Sequence, residues 1–264
     1  MENRKVAVLT GASMGIGKAF GEMLLKENYK VYGLCRSKPE NENIIWLKCD
    51  LLDSKAIEEC VERIRKENST IDLLINNAGM GISGAIEYAR KDDVERQIDI
   101  NLKGAIALCQ QVLPVMRKQR SGRIVFTSSL AAIFPIPYQA FYSVSKAGLT
   151  AFSDALSLEV SQFGLECCSL LLNDVKTEFT ANRKKNLEGN EEYNGRIDIS
   201  VSKMEESESK GMAPKEIAAA LQKLLKRKKL PAHYVVGLEG KLLNFLYHIL
   251  PNGLMLRILG KIYG

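Results

Sequence analysis

Residues 5–17 read KVAVLTGASMGIG: an apolar run of strand length, a turn holding Gly11, Gly15 and Gly17, and the opening of a helical pattern. A helix that starts straight out of a glycine-rich turn leaves its first backbone N–H groups without carbonyl partners. Those donors and the positive end of the helix dipole favour a pyrophosphate. Glycine lets the chain reverse tightly and lets phosphate approach the backbone. Thr10, Gly11, Ser13, Gly15, Ile16 and Gly17 are therefore read as a phosphate cradle between a first strand and a first helix.

Outward from that turn the alternation continues. YKVYGLC and IIWLKC read as strands, followed by a helix from Ser54 through Glu67. IDLLIN, a long helix around residues 92 to 117, GRIVFTS, a helix around 139 to 163, and LECCSLLL complete the series. Strand and helix by turns give parallel β-α-β units with helices on both faces of the sheet, so the predicted fold is α/β, a doubly wound Rossmann-type parallel sheet. No linker divides the chain, and residues 1–264 are expected to form a single domain with a C-terminal helical extension. After Thr177 the rhythm breaks. Residues 178–212 are polar, charged and poor in periodicity, and are expected to form a substrate-side loop. Pro214 then opens another helix, HYVVG reads as a last strand, and residues 239–264 as apolar helices broken at Pro251, Asn252 and Gly253.

Composition narrows the class. The 264 residues are 46% hydrophobic and 26% charged, the profile of a globular protein with a sizeable core. Six cysteines without a C-x-x-C and two histidines without paired spacing argue for reduced thiols and no metal site. The net charge of +6 is modest, and its densest cluster, Lys226–Lys229, sits at a helix end where cations complement the dipole, so no nucleic-acid partner is expected. The polar leader lacks the apolar core of a secretory signal, which makes the cytoplasm the expected location. The apolar tail falls short of the roughly 20 unbroken apolar residues that span a bilayer, so any membrane contact through it would be peripheral.

Further motifs follow the glycine turn in order. Asp50-Leu51 ends the third strand, Asn76-Asn77-Ala78-Gly79 ends the fourth, Asn101 lies within DINLKG, and Ser129 stands thirteen residues before Tyr142. Tyr142 and Lys146 are spaced i, i+4, which stacks them on one helix face. Alone, that pair reads as an ordinary solvated surface. In this order and spacing the set resembles the short-chain dehydrogenase/reductase family, over residues 5 to about 177. The resemblance implies an NADP(H)- or NAD(H)-linked oxidoreductase with Asn101, Ser129, Tyr142 and Lys146 as its catalytic set. A ketone that receives hydride needs a proton on its oxygen. A free tyrosine, with a pKa near 10, is a poor proton shuttle at neutral pH, but a neighbouring ammonium favours its anion. In the family's pattern Lys146 also holds the cofactor's ribose, Ser129 orients the substrate oxygen, and Asn101 positions a water in a proton relay. The pattern further implies cofactor contacts from Asp50, Leu51, Asn77, Ala78, Gly79, Val175 and Thr177, and a homo-oligomer. Ser128 and Tyr138 fall out of register; Tyr138 is expected at the substrate mouth beside Ser129 and Tyr142.

Cofactor choice is legible at the end of the second strand. Users of NAD in this family place an acid there, whereas this chain has Cys35 followed by Arg36, whose planar fork of donors suits a 2′-phosphate. NADP(H) is the expected cofactor, with Ser13 and Ser37 adding phosphate contacts. One departure stands out: where the family has P-G-x-V-x-T, this chain has Leu172-Asn173-Asp174-Val175-Lys176-Thr177, and Asn173 is expected to replace the glycine in a left-handed conformation. The apolar mouth at Ala131–Tyr138 and the apolar tail look similar to the steroid- and retinoid-reducing branch, including its hydroxysteroid dehydrogenase-like members. The expected substrate is therefore a bulky apolar ketone or secondary alcohol, a hydroxysteroid first and a retinoid or long-chain acyl carbonyl second. A non-catalytic NADP(H)-binding sensor is the alternative from another class.

Overall fold

A computed structural model describes residues 4–263. Strand β1 (Val6–Thr10) runs through the glycine turn into α1 (Gly15–Lys26), followed by β2 (Lys30–Cys35), β3 (Ile45–Lys48), α2 (Ser54–Glu67), β4 (Leu73–Asn76) and a short β5 (Ile82–Ser83). Then come α3 (Lys91–Ile98), α4 (Gly104–Gln119), β6 (Gly122–Ser129), α5 (Ala140–Val160), β7 (Leu165–Leu172), α6 (Phe179–Asn182) and β8 (Lys184–Lys185). The chain finishes with α7 (Arg196–Ser209), α8 (Pro214–Leu225), β9 (His233–Val235), α9 (Leu238–Ile249) and α10 (Asn252–Tyr263). The main sheet has the order β3-β2-β1-β4-β6-β7-β9 and is parallel throughout. This is the doubly wound sheet expected. Strand order reverses between β1 and β4, which opens a crevice beyond their carboxyl ends.

Alternation along β1 shows why both faces are covered. Val6 and Val8 point into a core formed with α2, α4 and α5, while Ala7 and Leu9 point into one formed with α1 and α8. Strands buried on both faces read as continuous apolar runs, hence VAVL and LLI. The six cysteines are buried and unbridged.

Three details depart from the sequence reading. The long helix predicted at 92–117 is interrupted by a π-helical turn, Asp99–Lys103, in which the Gly104 N–H reaches back to the Asp99 carbonyl. Residues 178–212, expected as loop, hold α6, β8 and the 14-residue α7. Their apolar signal is a thin stripe, Ile197, Val201 and Met204, at helical spacing among polar neighbours, and it packs near Ala85, Ile136 and Tyr138. Finally, Asn173 is absent from the described non-glycine residues with positive φ; Tyr138 is among them, at φ 60°. The turn after β7 therefore needs no left-handed residue, and the Asn173 amide instead donates to Glu239 at 3.3 Å.

Among the described residues no helix is long and apolar enough to cross a membrane. The inner sides of α9 and α10 pack on Leu130, Phe134 and Leu171. The outer side of α9 leaves Leu238, Leu242, Phe245 and Ile249 exposed, a stripe at i, i+4, i+7 and i+11.

Candidate active site

The crevice begins with the glycine turn. Gly11 and Gly15 have φ of 68° and 51°, conformations that a side chain disfavours. A Cβ on Gly17 would lie 2.0 Å from the Gly11 carbonyl oxygen, so helix and turn touch backbone to backbone there. The first turn of α1 has neither a side-chain cap nor an acidic residue, in contrast to α2, whose Asp53 accepts from Lys55 and Ala56 N–H groups. An uncapped N-terminus facing a cradle is the arrangement that takes an anion. Thr10 staples β4 to this turn: its hydroxyl accepts from the Asn77 and Ala78 N–H groups at 2.8 and 2.9 Å. Asn77 returns a bond to the Thr10 carbonyl at 3.1 Å.

The remaining cofactor candidates surround this centre. Ser13 sits beside the Cys35 thiol, and Arg36 and Ser37 stand exposed just past β2. Arg36 forms no ion pair among the described residues. Asp50 accepts from the Leu52 N–H at 3.1 Å, and Leu51 packs where a Cβ on Gly104 would fall. Thr177 lies 3.4 Å from the Cβ position of Gly15, and Val175 bridges to Met212. Both ends of the predicted cradle thus meet at the start of α1.

The ionisable pair lies across the crevice. Tyr142 and Lys146 are on the first turns of α5, with the Lys146 Nζ 5.7 Å from the Tyr142 ring centroid. Lys146 is buried and donates to the Thr127 carbonyl at 2.8 Å; loss of water lowers its pKa to about 8. Desolvation pushes the Tyr142 phenol up to about 12, and a hydrogen bond from Ser129 acts in the opposite direction. Ser129, at the end of β6, also accepts from the Ala131 N–H at 3.1 Å. Asn101, on the π turn, clamps Met80: its Oδ1 accepts from the Met80 N–H at 2.8 Å, and its Nδ2 donates to the Met80 carbonyl at 2.9 Å and to Ser145 at 3.1 Å. Its amide is thus engaged by protein partners. Ser128 is occupied with Thr150 at 2.8 Å and lies off the site.

The family model for short chain dehydrogenase matches residues 5–188. The chain belongs to that family. A 3-ketodihydrosphingosine reductase of Bacteroides thetaiotaomicron is 39% identical to this short-chain dehydrogenase over 236 residues, 88% of each chain. A crystal structure of a short-chain dehydrogenase from Streptomyces avermitilis aligns with TM-score 0.83 and 24% identity over 94% of each chain. A metagenomic short-chain oxidoreductase in complex with NADP aligns with TM-score 0.71 and 24% identity, over 88% of this chain and 96% of that one. Both structures share the fold.

Over its crevice this short-chain dehydrogenase carries a cover that no motif announced. The Phe179 ring lies 5.8 Å from that of Tyr142. Arg183, on the same segment, is buried and paired with Glu208 of α7. Tyr138 packs edge-on to Tyr193 at 6.0 Å, in one apolar cluster with Met204 and Tyr263 from the tail. The pairing of residue 183 with 208 and the docking of 263 are long-range contacts without a local sequence signal. Only Ile197, Val201 and Met204, at helical spacing, carry a local signal.

Proposed function

We propose that the protein is an NADPH-dependent reductase that converts a ketone on a long-chain substrate to the secondary alcohol. The observation that supports the reading is the grouping of Ser129 and Lys146 around Tyr142, together with a glycine turn that leads into an uncapped helix start suited to a pyrophosphate. Bound NADPH supplies the hydride. Ser129 orients the substrate oxygen, Tyr142 gives it a proton, and Lys146 holds the ribose and favours the phenolate that remains. Asn101 is a positioning residue, since its amide fixes the Met80 turn and, through Ser145, the start of α5.

A long chain is favoured over a steroid by the 39% identical relative, whose name places a 3-keto group on a long-chain amino alcohol. A hydroxysteroid is the second reading, supported by the apolar Leu130, Phe134 and Leu171 cluster under the tail. The test is kcat/KM with NADPH for long-chain ketones, steroid ketones, retinal and sugars. Long-chain ketones are expected to lead; a lead by sugars or small polar ketones would end the apolar-substrate reading.

NADPH over NADH rests on Cys35 standing where an acid would grip the ribose and on an exposed Arg36 beside it. Arg36→Ala should lower the ratio of kcat/KM for NADPH over NADH by roughly thirtyfold, the loss of a charge-assisted phosphate contact of about 2 kcal/mol. An unchanged ratio would move the phosphate elsewhere.

The reading extends to location. A cytoplasmic protein whose α9 and α10 rest on a membrane surface would meet a long-chain substrate where such molecules partition. The exposed stripe Leu238, Leu242, Phe245 and Ile249 on α9, with the exposed cations Lys241 on α9 and Arg257 and Lys261 on α10, is a combination suited to anionic lipid. The protein should float with vesicles containing phosphatidylglycerol, and Leu242→Glu with Phe245→Glu should release it. Assembly as a homo-oligomer is part of the same reading, with light scattering as its measure.

A further inference from the structure

Three charged side chains act on Tyr142 that the reaction as described does not use. Asp174 lies two residues beyond Leu172, which is in register with Ser129 on the neighbouring strand. Its Oδ2 accepts from the Ser207 hydroxyl at 2.5 Å. Glu208, the next residue of α7, accepts from Thr180 at 2.6 Å through Oε2 and pairs with Arg183 through Oε1. The Arg183 side chain is 0% exposed. Its guanidinium lies 5.7 Å from the Phe179 ring centroid, and that ring is the one resting on Tyr142. All three charges act on the Tyr142 phenol: the two carboxylates raise its pKa and the guanidinium lowers it.

This cluster is unbalanced in two respects. Arg183 is paired with Glu208, and among the described residues Asp174 forms no ion pair; burial raises the Asp174 pKa and the Glu239 carboxylate adds to that, while the Ser207 hydrogen bond and the Arg183 charge oppose it. In addition, the buried Nε and Nη1 of Arg183 have no hydrogen-bond partner among the described residues. A strut between α6 and α7 would account for Arg183, Thr180 and Glu208. It leaves Asp174 uncompensated and two buried donors idle, an arrangement that is unfavourable unless a ligand completes it. A wholly apolar ketone would bury these groups further and give them nothing.

We propose that Asp174, Glu208 and Arg183 form a head-group subsite for a ketone bearing an ammonium on the carbon next to the carbonyl and a hydroxyl one carbon further on. The ammonium pairs with Asp174, and the hydroxyl oxygen accepts from the idle Arg183 N–H groups, which sets the carbonyl oxygen against Tyr142 and Ser129. Glu208 holds the guanidinium in place. The inference rests on the long-chain ketone reading and adds the polar end of the same substrate.

The experiment uses the full chain with NADPH and two long-chain substrates, a 2-amino-1-hydroxy-3-ketone and its analogue lacking the amine. The ratio of their kcat/KM values is expected to favour the amine by roughly tenfold or more, the range of a charge-assisted contact. Asp174→Asn should bring that ratio near one, and Asp174→Ser provides the same comparison if the first variant folds poorly. Calorimetric binding of the amino ketone to the NADP-loaded protein gives a readout independent of turnover, and its affinity should fall in parallel. If the wild-type protein reduces both ketones equally well, the subsite is overturned while the long-chain reading stands. If neither is reduced, the proposed reaction fails, and amino-ketone binding that is absent or insensitive to Asp174→Asn overturns the subsite as well.

Discussion

Tyr142→Phe is expected to reduce turnover by roughly a hundredfold or more, the range of a lost general acid, while NADPH affinity stays near that of the parent. The variant keeps the ring that packs at a tilt against Phe179 and the lysine that faces it, and removes only the hydroxyl that Ser129 contacts. Stopped-flow reduction and fluorescence titration of NADPH separate the two effects; a variant with a tenth of parental turnover would remove Tyr142 as the proton donor. The pH dependence has a definite sign. Lys146 titrates near 8 in the ligand-free protein because burial disfavours its ammonium. Its charge is present below that pH and is lost as pH rises through it. The kcat/KM for NADPH, which reports the free enzyme, should therefore fall above about pH 8. Tyr142, pushed up to about 12, keeps its proton throughout that range.

Gly17→Ala should weaken NADPH binding on the order of a hundredfold and lower the melting temperature. The added methyl would lie 2.0 Å from the Gly11 carbonyl oxygen and 2.7 Å from the Asn77 amide nitrogen. Neither can swing aside, because one is main chain and the other is tied to the Thr10 carbonyl. Forcing a methyl into such packing costs about 1 to 3 kcal/mol, and the strain falls on the turn proposed to receive the phosphate. Gly260→Ala, at a helical position where an added Cβ meets no other described residue within 4 Å, is the control and should leave NADPH affinity unchanged without lowering the melting temperature. Equal affinity in the Gly17 variant and the control would show that the cofactor is held away from this turn.

The Asn101 side chain illustrates the limit of motif reading. Its position in DINLKG predicted a place in the site; the structure shows the side chain buried. That its amide would be occupied by Met80 and Ser145 depended on a π turn, which inserts its extra residue without a local mark in the sequence. Asn173 makes the same point from the other side. Its chemistry allowed a left-handed backbone, yet the bridge of Val175 to Met212 and the bond to Glu239 hold the turn without one.

The sequence by itself determined the sheet, the two helical layers, the glycine cradle and the order in which the Asn77, Ser129, Tyr142 and Lys146 positions enter the crevice. These are short-range properties: strand runs buried on both faces, a helix start without a cap, and an i, i+4 pair. The tertiary structure alone decided what closes over that crevice. Arg183 meets Glu208 across 25 positions, Ser207 reaches Asp174 across 33, and Tyr263 joins the Tyr138 cluster from the far end of the chain. Such contacts depend on how α7 and α10 pack against the finished sheet, and they bring Arg183 and Glu208 of an apparently featureless stretch close enough for their charges to act on Tyr142.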